Sequence, residues 1–512
     1  MKPPRLLIFI TLSFFTIIII LPFLYIIWLL LSDLTFQNIF EIRQIQLLKN
    51  SLIISLGTTF FSLLLGVPTA FFISQLQSNK YRLMILLFCI ISLLIPTYIQ
   101  AIVWNQLSIN IKKYIDFIDI YNLKGAIFIL TLSYFSYITL LTFTGLQVFD
   151  RNLLEAALIM QNKWTSLMKI VLPMLLPYIF AGAIFVFIFS IIDFAIPDML
   201  RLNVYPVEIF IQYSAFYNDR AALILSFPII ILTATIVVFQ KAYMKNRSYI
   251  QIYSGFKNLQ SIYSIKWLSI VTIPSIIMSS AVPITFLLIK TGDFSNYMNA
   301  WLSSKDQIYF TLMISAISST FILMFSLFLA IIIERSKNIY IKIIHSISLI
   351  PLAIPATTIG ICLITIWNQQ IVDFVYSNST IIVFGYTFKF LPFALIVLIS
   401  GLKNINKNLE ESALLSTSSW LRINYNITIS LLKPSLLFAF FTVFILSIGE
   451  LGTTVLIMPP GKETITLKIF NYMHYSDHET VNALCLIIIL IILSLTGLVG
   501  LTYHKVFKVN FS

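Results

Sequence analysis

The sequence predicts an all-α polytopic membrane protein with about 12 transmembrane helices in two parallel six-helix repeats. Three observations carry that prediction. Hydrophobic residues make up 59% of the 512 and charged residues only 10%, whereas roughly a quarter of a soluble globular chain is charged. The apolar runs are each about 20 residues long, enough for a helix to cross the hydrocarbon core while satisfying its own backbone polar groups. The second half of the chain also repeats the first. LLEAALIMQNKWTSLMKIVLPMLLP, Leu153 to Pro177, is answered by LEESALLSTSSWLRINYNITISLLKP, Leu409 to Pro434.

The apolar runs fall at 6–31, 52–75, 84–105, 125–148, 175–197, 221–243, 267–289, 308–333, 343–367, 380–401, 434–458 and 482–504. Lys80, Arg82, Arg151, Lys163, Lys169, Arg335, Lys337, Lys403, Lys407 and Arg422 concentrate in alternate loops, and the intervening loops mix acids with bases. The basic excess orients the first set toward the cytoplasm, with both termini on that side. Trp28, Trp104 and Trp367 lie near the outer ends of their runs, where an amphipathic ring prefers the interface. The N-terminal run follows a basic start but is too long for a signal peptide and has no small-residue cleavage site, so a retained first helix is expected.

The division that follows is a first repeat at 1–243, a polar cytoplasmic linker at 244–266 and a second repeat at 267–512. Glu155 and Glu411 stand 256 positions apart, as do Trp164 and Trp420. SLIISLGTTFFSLLLGVPTAFF from Ser51 is echoed by TLMISAISSTFILMFSLFLAII from Thr311, Pro96 by Pro355, Gly145 by Gly401, and Ile209-Phe210 by Ile469-Phe470. Six helices per repeat is an even number, so both repeats enter the membrane with one orientation and can pack about an axis along its normal, leaving a pathway between them.

Several function classes are excluded or disfavoured. The net charge of +13 is spread through short loops and does not form one basic face, so no nucleic-acid partner is expected; the surrounding partner is lipid. Cys89, Cys362 and Cys485 are isolated within apolar runs, without disulfide or zinc spacing. His474 and His478 are four apart, but in a Tyr/Asp-rich outer loop with no third ligand, so no metal site or cofactor is expected. No GxxxxGK[ST] segment occurs: PPGKET at Pro459 to Thr464 lacks the upstream glycine and a strand-to-helix setting. The polypeptide is not expected to be an enzyme, and it does not hydrolyse ATP itself. A lipid-linked glycosyltransferase would want a large extracytoplasmic domain, and a 12-helix secondary transporter leaves the paired Glu-rich segments unexplained.

Those segments resemble the cytoplasmic EAA signature of binding-protein-dependent ABC importer permeases of type I. The resemblance rests on Glu155, Ala156, Ala157, Trp164 and the Ile170-Val171-Leu172-Pro173 step in the first copy, at 153–177. In the second, at 409–434, it rests on Glu411, Ser412, Ala413 and Trp420. It implies that these residues form short helices that dock on an ATPase subunit and carry its motion to the pore. Two copies of a separate ATPase and an extracytoplasmic solute-binding protein are then the expected partners, and the bacterial inner membrane the expected location. Two departures stand out: the family's glycine between the short helices is absent from both copies, and Ser430 occupies the place of Pro173.

Ionisable groups inside apolar runs suggest function, because charge in hydrocarbon is costly. Asp193 in IIDFA and Glu450 in IGELG occupy equivalent places after the two EAA segments and are candidates to line the pathway, together with Lys389, whose repeat counterpart is Ser133. The stretches around the two acids, with LLIPTYIQA from Leu93, are similar to the fused permeases for iron(III). Ferric iron is therefore the expected cargo, with thiamine or a phosphonate as alternatives.

Overall fold

The computed structural model describes residues 4–32, 42–112, 119–148, 159, 162–245, 267–336, 338–414, 419–475 and 478–507. Among these the secondary structure is helical, without strands. Ten helices among the described residues are long and apolar enough to cross a membrane: α1 (Arg5–Leu29), α2 (Ile42–Gln75), α5 (Leu123–Val148), α6 (Trp164–Ile192), α9 (Asp219–Phe239), α10 (Leu268–Thr291), α11 (Phe294–Arg335), α14 (Thr380–Lys403), α16 (Trp420–Ile448) and α19 (His478–Leu501). Two bent helix pairs raise the number to 12 if each is one span. They are α3 (Asn79–Leu94) with α4 (Thr97–Lys112), turning by 93°, and α12 (Ile339–Ala353) with α13 (Ala356–Trp367), turning by 110°.

The runs at 84–105 and 343–367 are thus not straight spans, and proline is the reason. Pro96 and Pro355 push the residue before them out of the helical region, leaving Ile95 at ψ 116° and Ile354 at ψ 128°. Each chain then restarts a helix in a new direction. The runs expected at 175–197 and 434–458 also stop early. α6 ends at Ile192 and is followed by the short α7 (Ala195–Met199), and α16 ends at Ile448, before α17 (Thr454–Ile457). Two helices, α8 (Tyr205–Ser214) and α18 (Ile465–Tyr475), complete the matching elements beyond these breaks.

Among the described residues four wide π-turns interrupt the long helices, at Thr16–Ile20, Leu167–Val171, Ile277–Ala281 and Asn424–Ile429. Pro22, Pro173 and Pro283 each lie two residues beyond one of the first three. A proline inside a helix lacks an N–H, and its ring crowds the carbonyl four residues back; widening that turn relieves the crowding. The fourth turn forms although Ser430 replaces proline. The junction that leads from the second EAA segment into the membrane therefore keeps the shape of the first.

The chain resolves into two compact units whose boundaries differ from those of the repeats. One comprises the described residues of 1–39, 209–227 and 291–511, and the other those of 40–208 and 228–290. In the first of these, α11 packs on α14, α16 and α19, and α1 joins them through contacts with α11 and α13. Phe14 meets Phe321 edge-on, 6.1 Å between centroids. In the other unit, α2 packs on α5 and α6, and α10 lies against α2 and α3. Leu268 and Ile276 of α10 enter apolar clusters with Ala70, Leu175 and Phe135. Each repeat's opening helix is therefore built into the unit formed mainly by the other repeat. The linker expected at 244–266 lies outside the described residues from position 246 onward.

Inside each unit the repeat shows as recurring contacts. Ser51 Oγ accepts from Tyr205 N at 3.1 Å, and Thr311 Oγ1 accepts from Ile465 N at 2.8 Å. Trp104 packs edge-on against Phe128 at 4.9 Å, and Trp367 against Phe384 at 5.2 Å. Gly145 and Gly401 let neighbouring helices approach closely, as small residues do in membrane packing. A Cβ at Gly145 would lie 2.7 Å from the Tyr178 ring, and one at Gly401 would lie 2.3 Å from Ser435 Oγ.

Candidate functional site

The two acids picked out in the sequence close the two broken spans. Asp193 is the residue at which α6 stops, with an extended ψ of 126°. Its Oδ1 accepts from Ile196 N at 3.0 Å, taking up one of the free amides at the start of α7. Its Oδ2 accepts from the Tyr134 hydroxyl at 3.0 Å. Glu450 follows the end of α16 and repeats the backbone contact, with Oε1 accepting from Thr453 N at 2.8 Å. Its Oε2 meets Lys389 Nζ at 2.5 Å. Both acids are buried.

Lys389 is thus an ion-pair partner of Glu450. The ammonium also lies 5.6 Å from the Phe390 ring centroid. In the other unit the corresponding contact comes from Tyr134, one position along from the sequence counterpart Ser133, whose hydroxyl instead donates to Ile129 O at 2.9 Å. Tyr134 sits among Tyr137 and Phe189, with ring centroids at 6.1 and 6.0 Å. Close packing fixes the second break. Thr453 Oγ1 donates to Ala356 O at 3.3 Å, Tyr386 and Thr454 share a hydroxyl contact at 3.2 Å, and a Cβ on Gly452 would fall 2.7 Å from Ala356 Cβ.

Beyond the breaks a second pair of buried charges occupies equivalent places with opposite signs. Glu208 accepts from Arg43 Nη2 at 2.9 Å. Lys468, at the matching position in α18, donates to Ser303 O and to Gln307 Oε1, the latter at 3.2 Å, and stands 5.2 Å from the Tyr472 ring centroid. Reading for charges inside apolar runs misses both, because each lies in a short polar stretch between runs. The 260-residue spacing of Ile209-Phe210 and Ile469-Phe470 is the signal that would have aligned them.

The two EAA segments are described unequally. Glu155, Ala156 and Ala157 lie outside the described residues. Trp164 opens α6 and is 57% exposed, Leu172 is half-buried and Pro173 is exposed at the mouth of the helix. In the second segment Lys407–Leu414 form helix α15. Glu411 and Ser412 face outward, Ala413 is half-buried, and Trp420 is packed inside at 9% exposure. The Ser419 hydroxyl accepts from Arg422 N at 3.4 Å at the start of α16, and Asn424 Nδ2 donates to Trp420 O at 2.9 Å. Sequence comparison singles out Glu411 and passes over its neighbour Glu410. That side chain is buried, and it meets Arg335 Nη2 at 2.7 Å and Thr428 Oγ1 at 3.1 Å.

Paired segments of this kind, each leading into a span that an acid closes, match a family model along most of the chain. The model is that of the binding-protein-dependent transport system inner membrane component, and it matches twice, at residues 62–248 and 322–508. The chain belongs to this family. The permease is therefore a transport protein and not an enzyme, a multi-pass component of the inner membrane in a class that works with binding proteins and ATPases. It is 22% identical over 496 residues to the Fe(3+)-transport system permease protein FbpB 2 of Haemophilus influenzae, covering 92% of this chain and 93% of that one. It is 23% identical to the ferric transport system permease protein FbpB of Actinobacillus pleuropneumoniae, over 65% of this chain and 52% of that relative. A Salmonella typhimurium protein assigned to 2-aminoethylphosphonate transport, PhnV, is 26% identical over 37% of this chain and 71% of its own length.

Proposed function

We propose that the permease carries ferric iron, delivered by an extracytoplasmic binding protein, through an ATP-driven importer whose ATPase is a separate subunit. The observation that carries this reading is the alignment with an Fe(3+)-transport permease along 92% of the chain. Both repeats are matched by the family model, so two ATPase copies are expected, one beneath each EAA segment. The basic residues Lys80, Arg82, Arg335 and Lys403 support a cytoplasmic position for those segments and for both termini. The exposed Glu411 and its counterpart Glu155, with Ala156, Ala157, Ser412, Ala413, Trp164, Trp420, Leu172 and Pro173, are the proposed coupling residues. Asp193, Glu450 and Lys389 are proposed to line the translocation pathway at the two breaks. The proposed units of repetition are 1–243 and 267–512, joined by 244–266.

A second cargo is favoured by one specific observation, the partial match to a 2-aminoethylphosphonate permease. Thiamine is the third candidate. The deciding experiment identifies the partner binding protein and titrates it with ferric iron, thiamine and 2-aminoethylphosphonate. Tight binding of ferric iron alone is expected. Tight binding of either alternative with no response to iron would replace the cargo and leave the importer reading intact. Co-purification with an ATPase tests that reading, and recovery of the intact permease without any ATPase would overturn it.

A further inference from the structure

Glu410 stands where three elements of one unit meet. It belongs to α15, the short helix of the second EAA segment, and its carboxylate touches Arg335 at the cytoplasmic end of α11 and Thr428 in the π-turn of α16. The ion pair is dry, with side-chain exposures of 6% for Arg335 and 7% for Glu410. Arg335 Nε and Nη1 are buried with no hydrogen-bond partner among the described residues. A buried guanidinium is costly unless paired, so Glu410 is what holds this cation at the helix end. The adjacent Glu411 faces away and remains available to a partner.

The first repeat has no such arrangement in its sequence. At the spacing that aligns Ser51 with Thr311, Arg335 corresponds to Gln75. At the spacing of the two EAA segments, Glu410 corresponds to Leu154, and at the spacing of Asp193 and Glu450, Thr428 corresponds to Val171. None of the three can carry a charge.

We propose that Glu410, acting through Arg335 and Thr428, is a positioning residue that fastens the second coupling helix to transmembrane helices α11 and α16. Displacement of α15 by the ATPase is then passed to both spans as one rigid movement. The two acids of this helix divide the work: Glu411 docks and Glu410 anchors. This rests on the importer reading for its consequence, but the anchoring itself is a property of the chain alone.

The test uses two readouts on the full-length permease: amide hydrogen exchange of residues 407–414 in the purified chain, and ATP-dependent uptake of radiolabelled ferric iron in vesicles holding the assembled importer. Glu410→Gln is expected to speed exchange in α15 and to lower uptake, each by at least about 10-fold, because it strands one member of a buried pair. The variant with Arg335→Gln and Glu410→Leu carries the residues of the first repeat and leaves no stranded charge. It should fold normally and still show fast exchange and weak uptake. The charge reversal Arg335→Glu with Glu410→Arg should bring both readouts back toward the original. Wild-type exchange and uptake in the Gln/Leu variant would overturn the proposal. If the unmodified importer shows no ATP-dependent uptake of ferric iron, the cargo reading fails, while the exchange result still decides whether Glu410 anchors the helix.

Discussion

The two broken spans perform the same backbone task with different chemistry. Asp193 and Glu450 each accept from the amide three residues ahead, but the remaining oxygen meets a phenol in one unit and an ammonium in the other. The contrast recurs beyond the breaks. Ser51 and Thr311 make the same contact to a backbone amide, whereas Glu208 in one unit is answered by Lys468 in the other. The difference teaches that the repeat holds fixed what the backbone requires, because a free amide inside a membrane protein has no water to turn to. Side-chain charge is free to differ as long as each buried charge finds a partner within its own unit.

The largest effect is expected where a full charge is at stake. Lys389→Met strands the Glu450 carboxylate and should cost about 3–5 kcal/mol, read as a lowered unfolding midpoint in detergent. Adding Glu450→Gln should restore most of the loss; if it does not, Lys389 matters for something besides this pair. The same deletion at the other break removes only a hydrogen bond to a carboxylate. Tyr134→Phe should therefore cost ~1.5–3 kcal/mol, and an effect as large as that of Lys389→Met would erase the distinction between the units.

Packing offers a third comparison. Gly452 has Ala195 as its counterpart in the first repeat, yet Gly452→Ala should destabilise by about 1–3 kcal/mol because the new methyl meets Ala356 Cβ with no rotamer to escape into. A neutral result would show that the second break is looser than the contact distance indicates. The smallest effects should be equal: Ser51→Ala and Thr311→Val each remove one hydrogen bond to an amide and should cost ~1 kcal/mol apiece. A marked inequality would show that the two repeats do not use this contact alike.

Function adds a further comparison, between Glu155→Arg and Glu411→Arg. Reversed charge on a docking helix repels a complementary groove, so both variants should insert normally and lose transport. The π-turn at Asn424–Ile429 recurs without a proline, so the two variants should be equally damaging. Transport at the unmodified level in both would sink the coupling roles.

Sequence alone determined the class of this protein. Composition, run length and the 256-residue repeat sufficed for an all-α polytopic membrane protein, because each run must satisfy its backbone alone and must match the thickness of the bilayer. It also marked Asp193 and Glu450, since an acid in an apolar run is conspicuous, and both EAA segments, since polar repeats stand out against hydrophobic surroundings. The tertiary structure decided what pairs with what. Lys389 with Glu450 and Arg335 with Glu410 lie 61 and 75 positions apart, and no periodicity within a helix announces such partners. It decided as well that α1 and α10 are built into the units formed mainly by the other repeat, because an apolar helix carries no mark of which apolar surface it will cover.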